Sequence, residues 1–216
     1  MEKKISQKEV KQRYKEIKRE IETRLNELKN NYKQGDYEIF KELLFCLLTP
    51  QSKAENAWQI IRDLEKENLI LKTPESILKE ELKRVRFRFN KTKYILEAQE
   101  KFVKNGRIVL KEIIDQFDDE KEARRWFVKS VKGLGMKEAS HFLRNIGKGE
   151  NLSILDRHIL RALKELGIID MMPKSLTPKR YEEIENKMEL FARDIDMPLS
   201  HLDFVLWHIE TGRIFK

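Results

Sequence analysis

One cysteine, Cys46, stands in a chain of 216 residues. The chain therefore cannot close an internal disulfide, nor can it supply the four thiolates of an iron–sulfur cluster. Cys46 lies within the apolar run 43–48, the setting of a core residue rather than of a reactive thiol. The four histidines are not gathered with Cys, Asp or Glu at ligand spacing, so no metal site is expected. No apolar run approaches the roughly 20 residues that a membrane span needs. The first residues are charged and lack the apolar segment of a secretory leader. These absences predict an intracellular, soluble protein without a membrane partner. The alternation of strands is nearly missing, and there is no internal repeat or low-complexity linker.

Charge and helical periodicity are what the chain has in quantity. Lys and Arg number 45 against 37 Asp and Glu, a formal net charge of +8, and 40% of the residues are hydrophobic. The basic excess suits nucleic acid without proving it, and the apolar content suffices for one globular unit or two small lobes. Ile5, Val10, Tyr14, Ile17, Ile21, Leu25 and Leu28 recur at helical intervals and predict one long amphipathic helix. Ser6 with Glu9 makes a capping box at its start. Gly35 ends it, and Asp36 is placed to cap an apolar helix over 37–48. Thr49-Pro50 breaks that helix, and Ser52 with Glu55 is placed to cap the next. Thr73-Pro74 opens another in the favoured Ncap–N1 order. Further helices are predicted over about 91–105, closed by Gly106, and over about 108–117. Asp156 caps 157–166, closed by Gly167. Thr177-Pro178 starts a helix ending near Asp194, and Ser200 with Asp203 begins the last. The fold class expected is all-α.

Between the amphipathic runs 124–131 and 137–146 lies Val131-Lys132-Gly133-Leu134-Gly135-Met136-Lys137. This reads as helix, hairpin, helix, with both glycines free to take positive φ and to let another backbone approach. The amides of Gly133, Leu134 and Gly135, with those opening the second helix, would hold a phosphate without reading a base. Lys137 follows two residues later, and Asp156 nineteen residues beyond it, in Ile154-Leu155-Asp156-Arg157-His158. A lysine attacks only when neutral, and the ordinary value of about 10.4 keeps it charged. The positive end of a helix and partial burial both disfavour the ammonium, while a nearby carboxylate opposes them.

At these residues the chain resembles the helix-hairpin-helix DNA glycosylases of the endonuclease III superfamily. The ending Leu-Trp-His-Ile-Glu-Thr-Gly-Arg (206–213) is similar to the archaeal and bacterial second type of 8-oxoguanine DNA glycosylase/AP lyase. The resemblance implies two helical lobes flanking a DNA-binding cleft. One would combine residues 1–46 with 157–216, and the other, 47–156, would carry the hairpin. It implies Lys137 as nucleophile at C1′, with a Schiff base and β-elimination to follow. Asp156 would accept or relay a proton while the base leaves, and would also stabilise the positive charge developing at C1′. No metal or organic cofactor is implied, and the iron–sulfur cluster of several relatives is absent. The partner implied is double-stranded DNA containing oxidised guanine, met by a monomer in the cytoplasm, at the nucleoid.

Other residues join this reading. Gln51 matches the place where relatives fill the gap left by a flipped base; otherwise it is an ordinary polar loop residue. Seven basic residues against two acidic ones occupy 79–93, interleaved with Phe87 and Phe89. Such a run is usually a solvated face. With an exposed ring it also suits a DNA-kinking wedge, Phe87 flanked by Arg86 and Arg88. His158 is assigned to packing or to a phosphate contact. Gly147-Lys148-Gly149 is read as a flexible turn. Trp207 is by default a core residue, but the resemblance brings it and Lys216 near the extruded base. The chain stops at Lys216 without a tail, which would make the terminal carboxylate or nearby carbonyls acceptors for the N7–H of oxidised guanine; otherwise the terminus merely packs. The same chemistry on another oxidised base, or a non-catalytic DNA-binding module, remains open.

Overall fold

The computed structural model describes residues 5–214, in which eleven α-helices carry nearly all the regular structure. The long first helix, α1 (Gln7–Gln34), starts as its sequence predicts: the Ser6 hydroxyl accepts the Glu9 amide at 3.2 Å. It buries Val10, Ile17, Ile21, Leu25 and Leu28 along one stripe. Gly35, at φ 102°, then turns the chain directly into α2 (Asp36–Leu48). Asp36 is the first residue of α2 rather than its cap, and its carboxylate accepts the Lys111 amide at 2.7 Å.

Every residue of α2 from Ile39 to Leu48 is buried. A helix buried on all sides belongs at the centre of a lobe, and its two buried charges, Lys41 and Glu42, are paired with Glu65 and Asn145. Accordingly α2 is wrapped by α3 (Ala54–Lys66), α5 (Arg88–Phe102), α6 (Leu110–Ile114) and α8 (Met136–Asn145). The first core runs from Ile39 to Leu152, and it also takes in α4 (Glu75–Glu81) and α7 (Glu120–Ser130). A second core joins α1 to α9 (Arg157–Glu165), α10 (Pro178–Asp194) and α11 (Leu199–Thr211), together with Met136. The sequence division at 46/47 would have cut α2 in two; the apolar clusters instead part between Leu28 and Ile39, and between Leu152 and Leu155.

Buried charges fix how the two cores meet. Arg124 of α7 makes a bidentate pair with Glu185 of α10, at 2.6 and 2.8 Å, and Arg144 of α8 meets Asp203 of α11 at 3.0 Å. Such pairs gain little net stability, because both ions lose water, but removing one partner strands the other. Their contribution here is geometric: they set α10 and α11 against α7 and α8.

Several local expectations give way to tertiary contacts. The helix predicted to Asn105 stops at Phe102, and a two-residue hairpin follows, β1 (Val103–Lys104) paired antiparallel with β2 (Arg107–Ile108). Asn105 and Gly106, at φ 53° and 76°, form the left-handed Asn-Gly turn that suits such a hairpin. Ser52, Thr73 and Ser200 are not caps; the helices begin after Lys53, Pro74 and Pro198. The Thr73 hydroxyl instead donates to Leu69 O and accepts from Gln99.

Candidate active site

The hairpin between α7 and α8 turns on one glycine, not two. Gly133 has φ 93°, whereas Gly135, at φ −91° and ψ −178°, is extended backbone at the N-cap of α8. A Cβ on Gly133 would also overlap the ring of Tyr94 in α5. Gly133→Ala should therefore cost about 1–3 kcal/mol for the forced backbone alone, read as a lowered melting temperature. Gly135→Ala should cost less, since its Cβ meets only the end of the Glu138 side chain, at 3.0 Å. Leu134 is buried in the first core and bonds its amide to Val131 O, so its side chain anchors the hairpin. Met136, Lys137 and Glu138 occupy the first turn of α8, where backbone N–H groups have no carbonyl of their own helix to meet.

Lys137 and Asp156 both line a cleft of about 1150 Å³ between the two cores. The Asp156 carboxylate caps α9: its Oδ1 accepts the amides of His158 and Ile159 at 2.8 and 2.9 Å. No ion pair joins it to Lys137, whose Nζ lies 3.3 Å from Glu138 Oε1. Deeper in the cleft, Asp203 accepts the Ile154 amide at 3.1 Å as well as the Arg144 guanidinium. Burial pushes the Asp203 carboxyl up to about 6 despite that cation, and the same loss of water lowers Arg144. Arg144 lies over the Phe204 ring at 4.6 Å.

One wall carries Trp207, in edge-to-face contact with His158 at 5.1 Å. The His158 ring faces Glu210, with Nδ1 3.5 Å from its carboxylate. Packing is thus its visible role. Lys216 lies outside the described residues.

The opposite wall is the Gln51 loop. Gln51 is exposed at φ 52°, a left-handed backbone that a non-glycine residue keeps only when held. What holds it is Lys91, whose buried ammonium donates to Leu48 O, Pro50 O and Ser52 Oγ at 2.7, 2.8 and 2.9 Å. Ser52 Oγ also accepts the Arg86 amide at 3.0 Å. A single buried cation therefore ties the Gln51 loop to the Arg86–Phe87–Arg88 loop. Burial lowers the Lys91 ammonium to about 8. Lys91→Met keeps the stem but strands two carbonyls; it should cost about 1–3 kcal/mol. It should also slow reaction on duplex DNA several-fold more than on single strands, measured under single-turnover conditions.

Phe87 is 55% exposed at φ 59°, and Phe89 is equally open, with Arg88 stacked on its ring at 4.7 Å. Neither ring is a core anchor. The basic run around them is not uniformly free: Lys79, Lys83 and Arg84 pair with Glu75, Glu80 and Asp63, and Lys91 is buried. Arg86 remains exposed at the cleft.

The structure thus brings Gln51, Arg86, Lys137, Asp156, His158 and Trp207 to one cleft, and places Phe87 next to Arg86 at its edge, with Arg88 opening α5. Sequence reasoning missed Lys91, Glu138, Arg144 and Asp203. Lys91 was counted with the basic run, and Asp203 was read as a cap partner. Glu138 had a signal, a carboxylate next to the hairpin lysine. Among the described residues there is no group of three or more metal-ligating side chains, and no helix is long and apolar enough to cross a membrane.

A family model described as 8-oxoguanine DNA glycosylase matches residues 21–197. An 8-oxoguanine DNA glycosylase/AP lyase of Fusobacterium nucleatum is 48% identical over 209 residues, 96% of each chain. The Methanocaldococcus jannaschii 8-oxoguanine glycosylase/lyase, solved in complex with a 15mer DNA containing 8-oxoguanine, superposes with a TM-score of 0.84. It is 36% identical, with 95% of this chain and 98% of that one covered. The 8-oxoguanine DNA glycosylase of Thermotoga maritima gives a TM-score of 0.85 at 32% identity, covering 97% of both chains.

Proposed function

This chain belongs to the 8-oxoguanine DNA glycosylase family, and from that premise we propose that it excises 8-oxoguanine from duplex DNA and then cleaves the strand as an AP lyase. The observation that carries the residue assignment is the convergence of Lys137 and the amide-held carboxylate of Asp156 on one cleft between the cores.

The first turn of α8 and the Gly133 and Gly135 amides hold DNA phosphate with the help of the positive helix end, while the Leu134 amide, spent on Val131 O, keeps the hairpin in shape. Phe87 wedges into the stack, Arg86 and Arg88 grip the backbone, and Gln51 fills the gap once the damaged nucleotide has turned out. The base enters the cleft against Trp207, where a hydrogen-bond acceptor would meet its N7–H. Plain guanine has no hydrogen there and leaves that acceptor unpaired, which is the stronger form of rejection. Lys137 attacks C1′ as the base departs, and the Schiff base that results allows β-elimination of the 3′ phosphate. Asp156 stands for the positive charge that grows at C1′; its two amide donors hold the carboxylate in place. The protein acts as a monomer, on DNA in the cytoplasm.

Duplexes carrying 8-oxoguanine, an oxidised pyrimidine or no lesion, treated with borohydride during turnover, test this reading. Covalent capture should be fast on 8-oxoguanine and slow or absent on the others. Faster capture on the oxidised pyrimidine would reassign the substrate. Tight binding with no capture on any duplex would leave a DNA-binding module.

A further inference from the structure

Lys137 has to lose two protons in this reaction, and the structure supplies one carboxylate in contact with its nitrogen. We propose that Glu138 is that proton acceptor, so that the site works with a division of labour: Glu138 moves protons at Nζ, and Asp156 stabilises charge at C1′. This rests on Lys137 being the nucleophile.

The geometry is specific. Adjacent residues on a helix point about 100° apart, so contact between their side chains is not automatic. Here Glu138 Oε1 nevertheless lies 3.3 Å from Lys137 Nζ, and both side chains line the cleft. The Glu138 side chain is 14% exposed, half as open as that of Lys137 at 27%. Its other oxygen lies against Gly135, where any side chain would crowd it. Asp156 makes no ion pair with Lys137, and two amides hold its Oδ1, so as placed it is not the carboxylate in contact with Nζ.

The proton count fits. Between ammonium and protonated Schiff base, Nζ goes from three hydrogens to one, while the departing base and O4′ each gain one. Glu138 takes the first proton, and the freed nitrogen pair bonds to C1′ as the C1′–N9 pair leaves with the base. The proton passes to the base. Glu138 then takes one of the two hydrogens of the new secondary ammonium. The remaining nitrogen pair forms C1′=N as the C1′–O4′ bond breaks, and O4′ receives that second proton. The carboxylate ends as it began, and no outside reagent is consumed.

Glu138 occupies the third position of α8, where a glutamate also serves a helix start by reaching back to free amides. Glu138→Gln separates the two roles, because glutamine can make the same reach but cannot accept a proton. We expect Glu138→Gln to slow single-turnover excision of 8-oxoguanine by about 100-fold or more, the usual loss of a general base. Capture on a preformed abasic site should slow similarly, because the aldehyde route also strips protons from Nζ. DNA affinity and melting temperature should change little. Glu138→Ala should be partly rescued by added formate, and Glu138→Asp should fall between the wild type and Glu138→Gln. Wild-type rates for Glu138→Gln on both substrates would overturn the proposal. So would a loss confined to base excision, since that would place the carboxylate's action on the base rather than on Nζ. Failure of the underlying reading has its own signature, a Lys137→Gln variant that is still captured.

Discussion

Lys137→Gln should form no borohydride-trapped adduct with an 8-oxoguanine duplex, while binding that duplex within a few-fold of the wild type. Glutamine keeps most of the stem and its polarity, and its helix propensity is close to that of lysine. It offers no amine to C1′, so the covalent route is removed rather than slowed. The phosphate grip is expected to survive because it belongs to backbone amides of the hairpin and of the first turn of α8. Stability should move by no more than about 1 kcal/mol, since the Lys137–Glu138 pair is partly open to water. The competing lysines are distinguishable by position. Lys132 is largely exposed and pairs with Glu97 at 3.0 Å, and it is not among the residues lining the cleft. Lys91 is the more serious rival on charge alone, because burial lowers it to about 8 and so makes the neutral amine easier to reach. Its three hydrogen bonds aim it at the Gln51 loop, however, and it is only 2% exposed, so it cannot meet a sugar. A captured Lys137→Gln variant would place the nucleophile outside the hairpin.

Asp156→Asn should lower single-turnover excision on the order of 100- to 1000-fold, the range seen when a preorganised electrostatic group is taken from a transition state. Asparagine is nearly isosteric, and its side-chain oxygen can still accept the His158 and Ile159 amides. It caps a helix about as well as aspartate. What it lacks is the negative charge, worth only about 0.3–1 kcal/mol to the positive end of α9. The loss in rate should thus far exceed the loss in stability. DNA affinity should hold or rise, because a carboxylate beside phosphate repels it. Capture on a preformed abasic site should suffer less than base excision, since no base is leaving there. That pattern contrasts with Glu138→Gln, for which both substrates should suffer. Near-normal excision by Asp156→Asn would leave the residue as a helix cap and nothing more.

How much of this was legible beforehand depended on the range of the interaction. Features set by a few neighbouring residues could be read: the apolar stripe of α1, the capping hydroxyl of Thr177, the Asp156 cap, and the hairpin with its lysine. Two of the helix-start residues were overruled from a distance. Ser52 gave its hydroxyl to Lys91 and Arg86, 39 and 34 residues away, and Asp203 gave its carboxylate to Arg144, 59 residues away. No local pattern announces such partners. Gly135 looked like Gly133 in sequence, but only Gly133 lies against another element, at Tyr94. Besides Glu138, the Asn105-Gly106 hairpin is a local signal that the helical periodicity before it masks. The apolar run in α2 marked burial without naming the partners, so the division at 46/47 assigned most of that helix to the other lobe.

The chemistry stands or falls on which amine meets C1′. The wild-type protein, trapped with borohydride on an 8-oxoguanine duplex, can be digested with nuclease and trypsin and its modified peptide sequenced by mass spectrometry. An adduct on Lys137 blocks tryptic cleavage there, so the sugar-derived mass should appear on a single peptide spanning residues 133–144. The same mass on a peptide carrying another lysine, or on the N-terminal amine, with residues 133–137 released unmodified, would contradict the assignment.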